Sequence, residues 1–200
     1  MTRTIVSIVE GDGEVIALPV LLRRLWMWRS PHATIEIARP IRVRRNAFLQ
    51  RSDEFRRMLL LAAAKAGANG AVLVLLDADD DCPAKLGPTI LQRARSIRPE
   101  MPMAAVIANR EYEAWFIAAA ASLQGVRGFA WDGIAPVDPD LPRNAKGWMR
   151  ERVTGARYSP VSDQAAFSER LDLHAAFEHS RSFRKLASAW DAMVAAPTQL

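Results

Sequence analysis

The sequence predicts an α/β fold, a mostly parallel sheet of about four strands flanked by helices, with a helical C-terminal extension. Three observations carry this. Ala71-Val72-Leu73-Val74-Leu75-Leu76 is an apolar run too short for a helix that passes directly into Asp77, Asp79, Asp80 and Asp81, as a strand buried on both faces does when it ends at a polar sheet edge. Other short apolar runs each precede a segment with helical spacing, the alternation that builds parallel βαβ units. Beyond about residue 126 a loop leads into segments of helical pattern.

Thr4 to Val9 is the first strand; it ends in Glu10 and is followed by Gly11-Asp12-Gly13-Glu14, whose glycines permit a tight turn. A helix then runs from near Glu14 to Trp28 with Leu18, Leu21, Leu22 and Leu25 facing inward, and Pro19 blurs its start. Thr34 to Ala38 is the second strand, and residues 39–45 are extended or looped chain. Ser52, followed by Asp53 and Glu54, has the pattern of a helix cap with acids in the first turn; that helix runs to Gly67, and Asn69-Gly70 turns the chain into the central strand. Residues 84–98 form a helix despite Gly87 and Pro88, and Pro99 stops it. Met103 to Ala108 is the fourth strand, and Asn109 to Phe116 opens an alanine-rich helix reaching about Gly125. Residues 125–143 read as a loop anchored by burial of Phe129 and Trp131, and tail helices are expected over 144–153, 163–174 and 180–194. Residues 1–125 thus form an α/β core and 126–200 a loop and helical extension packed on it, in a single structural domain.

At 200 residues the chain is long enough to bury its own core, and its hydrophobic fraction of 50% argues against disorder along the whole chain. The single cysteine, Cys82, excludes an internal disulfide and a cysteine-based zinc site; it is expected to be buried and inert, in a reducing compartment. The N-terminus lacks a signal-peptide pattern and no apolar stretch approaches the roughly 20 residues of a spanning helix, so a cytoplasmic location is expected. The formal net charge of +5 comes from Arg far more than Lys. Arginine forks onto phosphate bidentately, which suits a nucleic-acid partner, and a GC-rich genome yields the same bias.

Two strand ends offer acids: Glu10 from the first strand, Asp77 and Asp79 from the third. In extended chain a spacing of two places Asp77 and Asp79 on one side. Carboxylates converging at one edge repel each other unless a divalent cation holds them, and hard oxygen ligands favour Mg²⁺ or Mn²⁺. The bland alternative is that these acids cap the following helix and stay solvated. Asp80 and Asp81 have no assigned role. His32, His174 and His179 are scattered and form no metal or catalytic triad, and the sequence holds no phosphate-cradling Gly-x-x-x-x-Gly-Lys loop. Trp115 and Phe116 at helical spacing among alanines read as core.

Val9-Glu10-Gly11-Asp12-Gly13-Glu14, Leu76-Asp77-Ala78-Asp79-Asp80-Asp81 and Glu111-Tyr112-Glu113-Ala114-Trp115-Phe116, in this order after successive strands, resemble the DUF4276 family. That family is placed among Toprim-like proteins and is similar to RloB-like and overcoming-lysogenization-defect-type Toprim nucleases. The resemblance covers roughly residues 4–195, counting Ala145-Lys146, Tyr158, Asp163-Gln164 and Ser182-Phe183 in the tail. It implies a Toprim-like (Rossmann-like) sheet and a divalent-metal site for phosphodiester chemistry. Glu10 matches the Toprim glutamate, a metal ligand or general acid/base, and Asp77 and Asp79 match its Asp-x-Asp ligands. Glu14 can join through water, and Glu113 resembles the acid of the family's Glu-x-Trp segment, a further ligand or else a helix N-terminal acid.

Lys146 has the resemblance behind it as a cation for the transition state, and Lys85 only its proximity to the acids. Arg39, Arg42, Arg44 and Arg45 are the candidate phosphate track, or else a solvated basic face. The expectation is therefore a Mg²⁺- or Mn²⁺-dependent nuclease acting on DNA or RNA, with Glu10, Asp77, Asp79 and Lys146 catalytic. Resemblance alone adds a role in prokaryotic defence beside an ABC-type or AAA ATPase. The alternatives are a non-catalytic nucleic-acid or nucleotide-binding module and a phosphotransferase acting on a small phosphorylated substrate.

Overall fold

Apolar residues of alternating orientation in the strands divide the core into two halves, one on each side of a parallel sheet. In the computed structural model, which describes residues 2–133, 138–155 and 157–197, the first half of the chain runs β1 (Arg3–Val9), α1 (Asp12–Arg29), β2 (Ile35–Ile37), β3 (Ile41–Arg42), α2 (Arg45–Gln50), α3 (Ser52–Ala66), β4 (Ala71–Asp77), α4 (Pro83–Ile97) and β5 (Met103–Ala108). The tail follows with α5 (Ala114–Ala118), α6 (Ala145–Arg152), α7 (Pro160–Arg170), α8 (Leu173–His179) and α9 (Arg181–Ala195).

The sheet order is β2-β1-β4-β5, with β3 also on β1, and every pairing is parallel. β2 and β3 share one edge of β1, β2 beside Arg3–Ile5 and β3 beside Ile8–Val9, separated by Arg39-Pro40. The segment expected to be only extended or looped therefore contributes a two-residue strand.

Every residue of β4 is buried, the condition of a strand covered on both faces. Leu73 and Leu75 join Leu18, Leu21, Trp115, Phe183 and Trp190 on the side of α1, α5, α7 and α9. Val72, Val74 and Leu76 join Phe48, Phe55, Leu59 and Ile90 on the side of α2, α3 and α4. The tail helices α7 and α9 thus belong to the same hydrophobic cluster as the sheet. Among the described residues no helix is long and apolar enough to cross a membrane.

Three local expectations are corrected. The alanine-rich helix stops at Ala118 and continues only as a 3₁₀ turn over Ala120–Leu123. There Ser122 donates to the Ala119 carbonyl (2.7 Å) and accepts from the Asp172 amide (3.0 Å), a side-chain competitor to the helical ladder. The helix expected over 163–174 is two helices, because Asp172 accepts from the amides of His174 and Ala175 and starts α8 anew. At α3 the cap position is Arg51 rather than Ser52, with no side-chain cap bond. Phe129 anchors its loop as expected: it is buried, stacks near Trp148 and bridges Val153.

Candidate active site at the carboxyl edge of the sheet

Parallel strands bring their carboxyl ends to one edge, and here three adjacent strands deliver acids to it: Glu10 after β1, Asp77 at the end of β4, Glu111 and Glu113 after β5. Glu14 joins from the first turn of α1. Its Oε2 reaches back to accept from the amides of Glu10 and Gly11 (both 3.3 Å), and a Cβ on Gly11 would lie 2.7 Å from Glu14 Oε1 and push that carboxylate aside.

A lysine stands among the inner acids. Lys146, in the first turn of α6, places Nζ 2.9 Å from Glu111 Oε1, 3.2 Å from Asp77 Oδ2 and 3.8 Å from Glu113 Oε2. The Glu111 carboxylate also accepts from the Lys146 amide (2.9 Å), so one acid holds both ends of the residue. Asp77 is anchored on its other oxygen by the Tyr112 amide (2.8 Å). Glu113 Oε1 accepts from Tyr158 Oη and Gln164 Nε2, both at 2.8 Å. Gln164 reaches it because α7 lies directly against α1 at Gly13, where a Cβ would meet Gln164 Oε1 at 2.3 Å and the Pro160 carbonyl at 2.5 Å.

The second oxygen of Glu113 is left over. Oε2 is buried without a hydrogen-bond donor, and so is Glu10 Oε2. Buried carboxylate oxygens are ordinarily paired; these two have only a cation just beyond hydrogen-bond range, Lys146 Nζ 3.8 Å from Glu113 Oε2 and Arg45 Nε 3.7 Å from Glu10 Oε2.

Burial sets the protonation of the cluster. It pushes Asp77 well above the usual carboxylate range, and the neighbouring Glu14 adds to the rise while Lys146 opposes it. Glu113 is raised by burial against the pull of Lys146, Gln164 and Tyr158. Glu14 is raised to about 7 by burial, offset in part by its bond to the Gly11 amide. Glu10 is raised by burial and by Asp79, with Arg45 and Lys146 acting the other way. Burial alone would lower Lys146; Asp77, Glu113 and Glu111 more than reverse that and hold the ammonium charged.

Outside this buried cluster lies a shelf of a different kind. Glu10 and Asp79 share a cavity of about 560 Å³ with Arg44, Arg45 and Arg51. Arg45 is the clasp: it donates to the Asp77 and Ala78 carbonyls (3.2 and 3.4 Å) and pairs with Asp81, Glu10 (3.7 Å) and Asp79 (3.9 Å). Arg42 is engaged by Asp12 (2.9 Å) and the Glu10 carbonyl (3.1 Å).

Glu10, Glu14, Asp77, Glu113 and Lys146 are therefore brought together as the sequence suggested. Asp79 is not beside Asp77. The strand ends at Asp77, Asp79 takes a left-handed conformation (φ 50°), and its side chain is 58% exposed on the shelf. Spacing of two places residues on one side only while the chain stays extended, and here it does not. The four arginines do not form one track either: Arg39 lies away from the cavity, Arg42 is paired to Asp12, and Arg44 and Arg45 face it together with Arg51. Lys85 is exposed on α4. Cys82 is exposed rather than buried, because it precedes α4 at the N-cap, outside the strand's core.

Sequence reasoning gave no role to Glu111, Tyr158, Gln164 or Arg51. Glu111 sits two residues before Glu113 in a segment already singled out. Gln164 carried a readable signal, a polar side chain on the helical face that also carries Phe167 and Ser168 into the core. Tyr158 entered only as a tail position of the family resemblance, and its partner was not readable, since only the fold carries it 45 residues back to Glu113.

The profile of a family described as Domain of unknown function (DUF4276) matches residues 9–189. The chain belongs to the DUF4276 family. No curated protein and no solved structure matches it. In this DUF4276 protein, no group of three His, Cys, Asp or Glu among the described residues is arranged to hold a metal ion as it stands. The Lys146 ammonium occupies the space among Asp77, Glu111 and Glu113 instead.

Proposed function

We propose that this DUF4276 protein is a divalent-metal-dependent phosphodiesterase of Toprim-like arrangement that cuts DNA or RNA. The observation that carries the reading is surplus buried negative charge. Glu10, Glu14, Asp77, Glu111 and Glu113 crowd one sheet edge against Lys146 and Arg45, and two of their oxygens lack any donor. An all-oxygen donor set fits Mg²⁺ or Mn²⁺, and Asp77, Glu113 and Glu10 would hold the ion with Glu14 and Glu111 beside them. When bound, such an ion makes a bound water more acidic and neutralises charge on phosphate oxygens.

The chain's own groups do the rest. Tyr158 and Gln164 fix one oxygen of Glu113 and leave the other without a hydrogen-bond donor, 3.8 Å from Lys146 Nζ. Lys146, at the mouth and 28% exposed, can turn from its carboxylates toward an arriving phosphate and oppose the charge that develops there. Arg44 and Arg51 contact the phosphodiester backbone from the shelf, contacts that add affinity without reading sequence. A cytoplasmic setting and a partner ATPase of the ABC or AAA type in prokaryotic defence belong to the same reading; a motor supplied in trans suits a chain without a phosphate-cradling loop.

Incubation of the purified protein with DNA and with RNA, with and without Mn²⁺, tests it. Metal-dependent cleavage that disappears in Asp77→Ala while binding persists is the expected result. Absence of cleavage of every substrate, even with the ATPase present, overturns it. One observation favours a second reading: Lys146 already balances Asp77 and Glu111, as a metal-free binding module would require. Such a module would bind nucleic acid with a steep salt dependence and turn nothing over.

A further inference from the structure

Along β5 the sheet has an unfinished edge. β5 ends the strand order, and its pairing with β4 uses alternate peptide groups. The carbonyls of Pro102 and Ala108 accept from the amides of Val72 (3.0 Å) and Ala78 (2.9 Å), so by alternation the peptide groups of Ala105 and Ile107 face outward. No hydrogen bond among the described residues reaches those outward groups.

A groove of about 450 Å³ runs along this edge with Ala105, Ile107 and Asn109 as its floor. One wall is α4, small and apolar at Ala84, Gly87 and Leu91. A Cβ on Gly87 would stand in van der Waals contact with the Ala105 carbonyl (3.6 Å) and Ile107 (3.7 Å), so a larger side chain there would fill the groove. The opposite wall is α9, where Arg181 and Lys185, one helical turn apart, rise over the groove. Both are exposed, and among the described residues neither is in an ion pair.

We propose that this groove receives an extended peptide segment of a partner protein, alternating apolar and acidic residues, which adds to β5 as a further strand. The outward peptide groups of Ala105 and Ile107 supply main-chain hydrogen bonds, the α4 wall takes apolar side chains, and Arg181 and Lys185 select carboxylates. Charge decides among the occupants. A second copy docking edge to edge would bring its own Arg181 and Lys185 against the first pair, a like-charge contact that costs affinity. The floor from Ala105 to Asn109 is about 13 Å long at roughly 3.3 Å per residue, which suits four to five residues of strand.

An array of labelled heptapeptides alternating apolar residues with acidic, neutral or basic ones tests this on the full chain. Acidic members are expected to bind, to slow the exchange of the Ala105 and Ile107 amides, and to protect the exposed Cys82 at the groove's end from maleimide. Arg181→Glu with Lys185→Glu should weaken binding by about tenfold or more, two charges being reversed. Both residues are exposed, so the doubly substituted chain should fold, which circular dichroism checks. Gly87→Leu, which fills the groove, should abolish binding while leaving the charges in place. The proposal is overturned if no member binds, if neutral or basic members bind as well as acidic ones, or if the Ala105 and Ile107 amides are protected by self-association without peptide.

Discussion

The inner and outer halves of the carboxyl edge use the same residue types to opposite ends. On the shelf, acids meet arginines in the open: Asp80 pairs with Arg110 and Arg143, and Asp81 and Asp79 with Arg45. The Asp80 pairs are solvent-screened and contribute little to stability, and Asp79 and Asp81 reach out of water only as far as the half-buried Arg45. Inside, Glu14, Asp77 and Glu113 are almost fully buried around a single lysine, and burial drives their protonation. The difference teaches that the number of acids matters less than the water around them. The inner group holds a charge imbalance that only a proton, Lys146 or a bound cation relieves, whereas the outer group is already neutralised side chain by side chain.

The largest expected effect strikes the inner half. Lys146→Ala leaves buried carboxylates without their cation and should cost about 3–5 kcal/mol in urea unfolding at pH 8. The loss should shrink at pH 5, where the acids take up protons. An equally small effect at both pH values would erase the contrast between the halves.

Next comes the pH dependence of the intact protein. Glu14 is raised from 4.5 to about 7 on folding, so the folded state binds its proton more tightly than the unfolded chain does. The stability this gives is complete below about pH 4.5 and is lost as pH rises through about 7. At roughly 1.4 kcal/mol per pKa unit it amounts to about 3 kcal/mol. Glu14→Gln should flatten that part of the profile and raise stability at pH 8. A profile that instead climbs from pH 5 to 8 would show that the inner acids are not held above their ordinary range.

Mn²⁺ should stabilise the protein at pH 8 by about 2.7 kcal/mol at a hundred times its dissociation constant, and Asp77→Asn should remove the shift. A thermal scan in chelator and in Mn²⁺ reads this without any substrate. Unchanged melting in Mn²⁺ would leave Lys146 as the sole counter-ion of the pocket.

On the shelf, Arg44→Ala and Arg51→Ala should leave the melting temperature where it is. Each should lower the log–log salt slope of nucleic-acid binding by about one. Smallest of all, Asp79→Gly relieves a left-handed non-glycine residue and should stabilise the fold by less than about 1 kcal/mol. A larger change would mean that Asp79 belongs to the inner group after all.

Legibility followed the range of the interaction. The strand ends at Glu10 and Asp77 and the α1 stripe were readable because each depends on residues within a few positions. The reading of Asp79 failed one residue past the strand, where Asp79 and Arg110 both turn left-handed and the Asp79 amide bonds the Arg110 carbonyl (3.0 Å). That bond joins two loops 31 residues apart, and no local pattern announces it.

By itself the sequence determined the alternation of strand and helix, the burial of β4 on both faces and the acids at the ends of parallel strands, since periodicity and composition settle which faces avoid water. Only the tertiary structure decided how many of those acids share one pocket. Gly13 lets α7 close on α1 so that Gln164 meets Glu113, and α6 carries Lys146 across from position 146 to Asp77. The physical reason is that burial and Coulomb energy depend on distance in space, and these partners lie 51 and 69 residues apart along the chain.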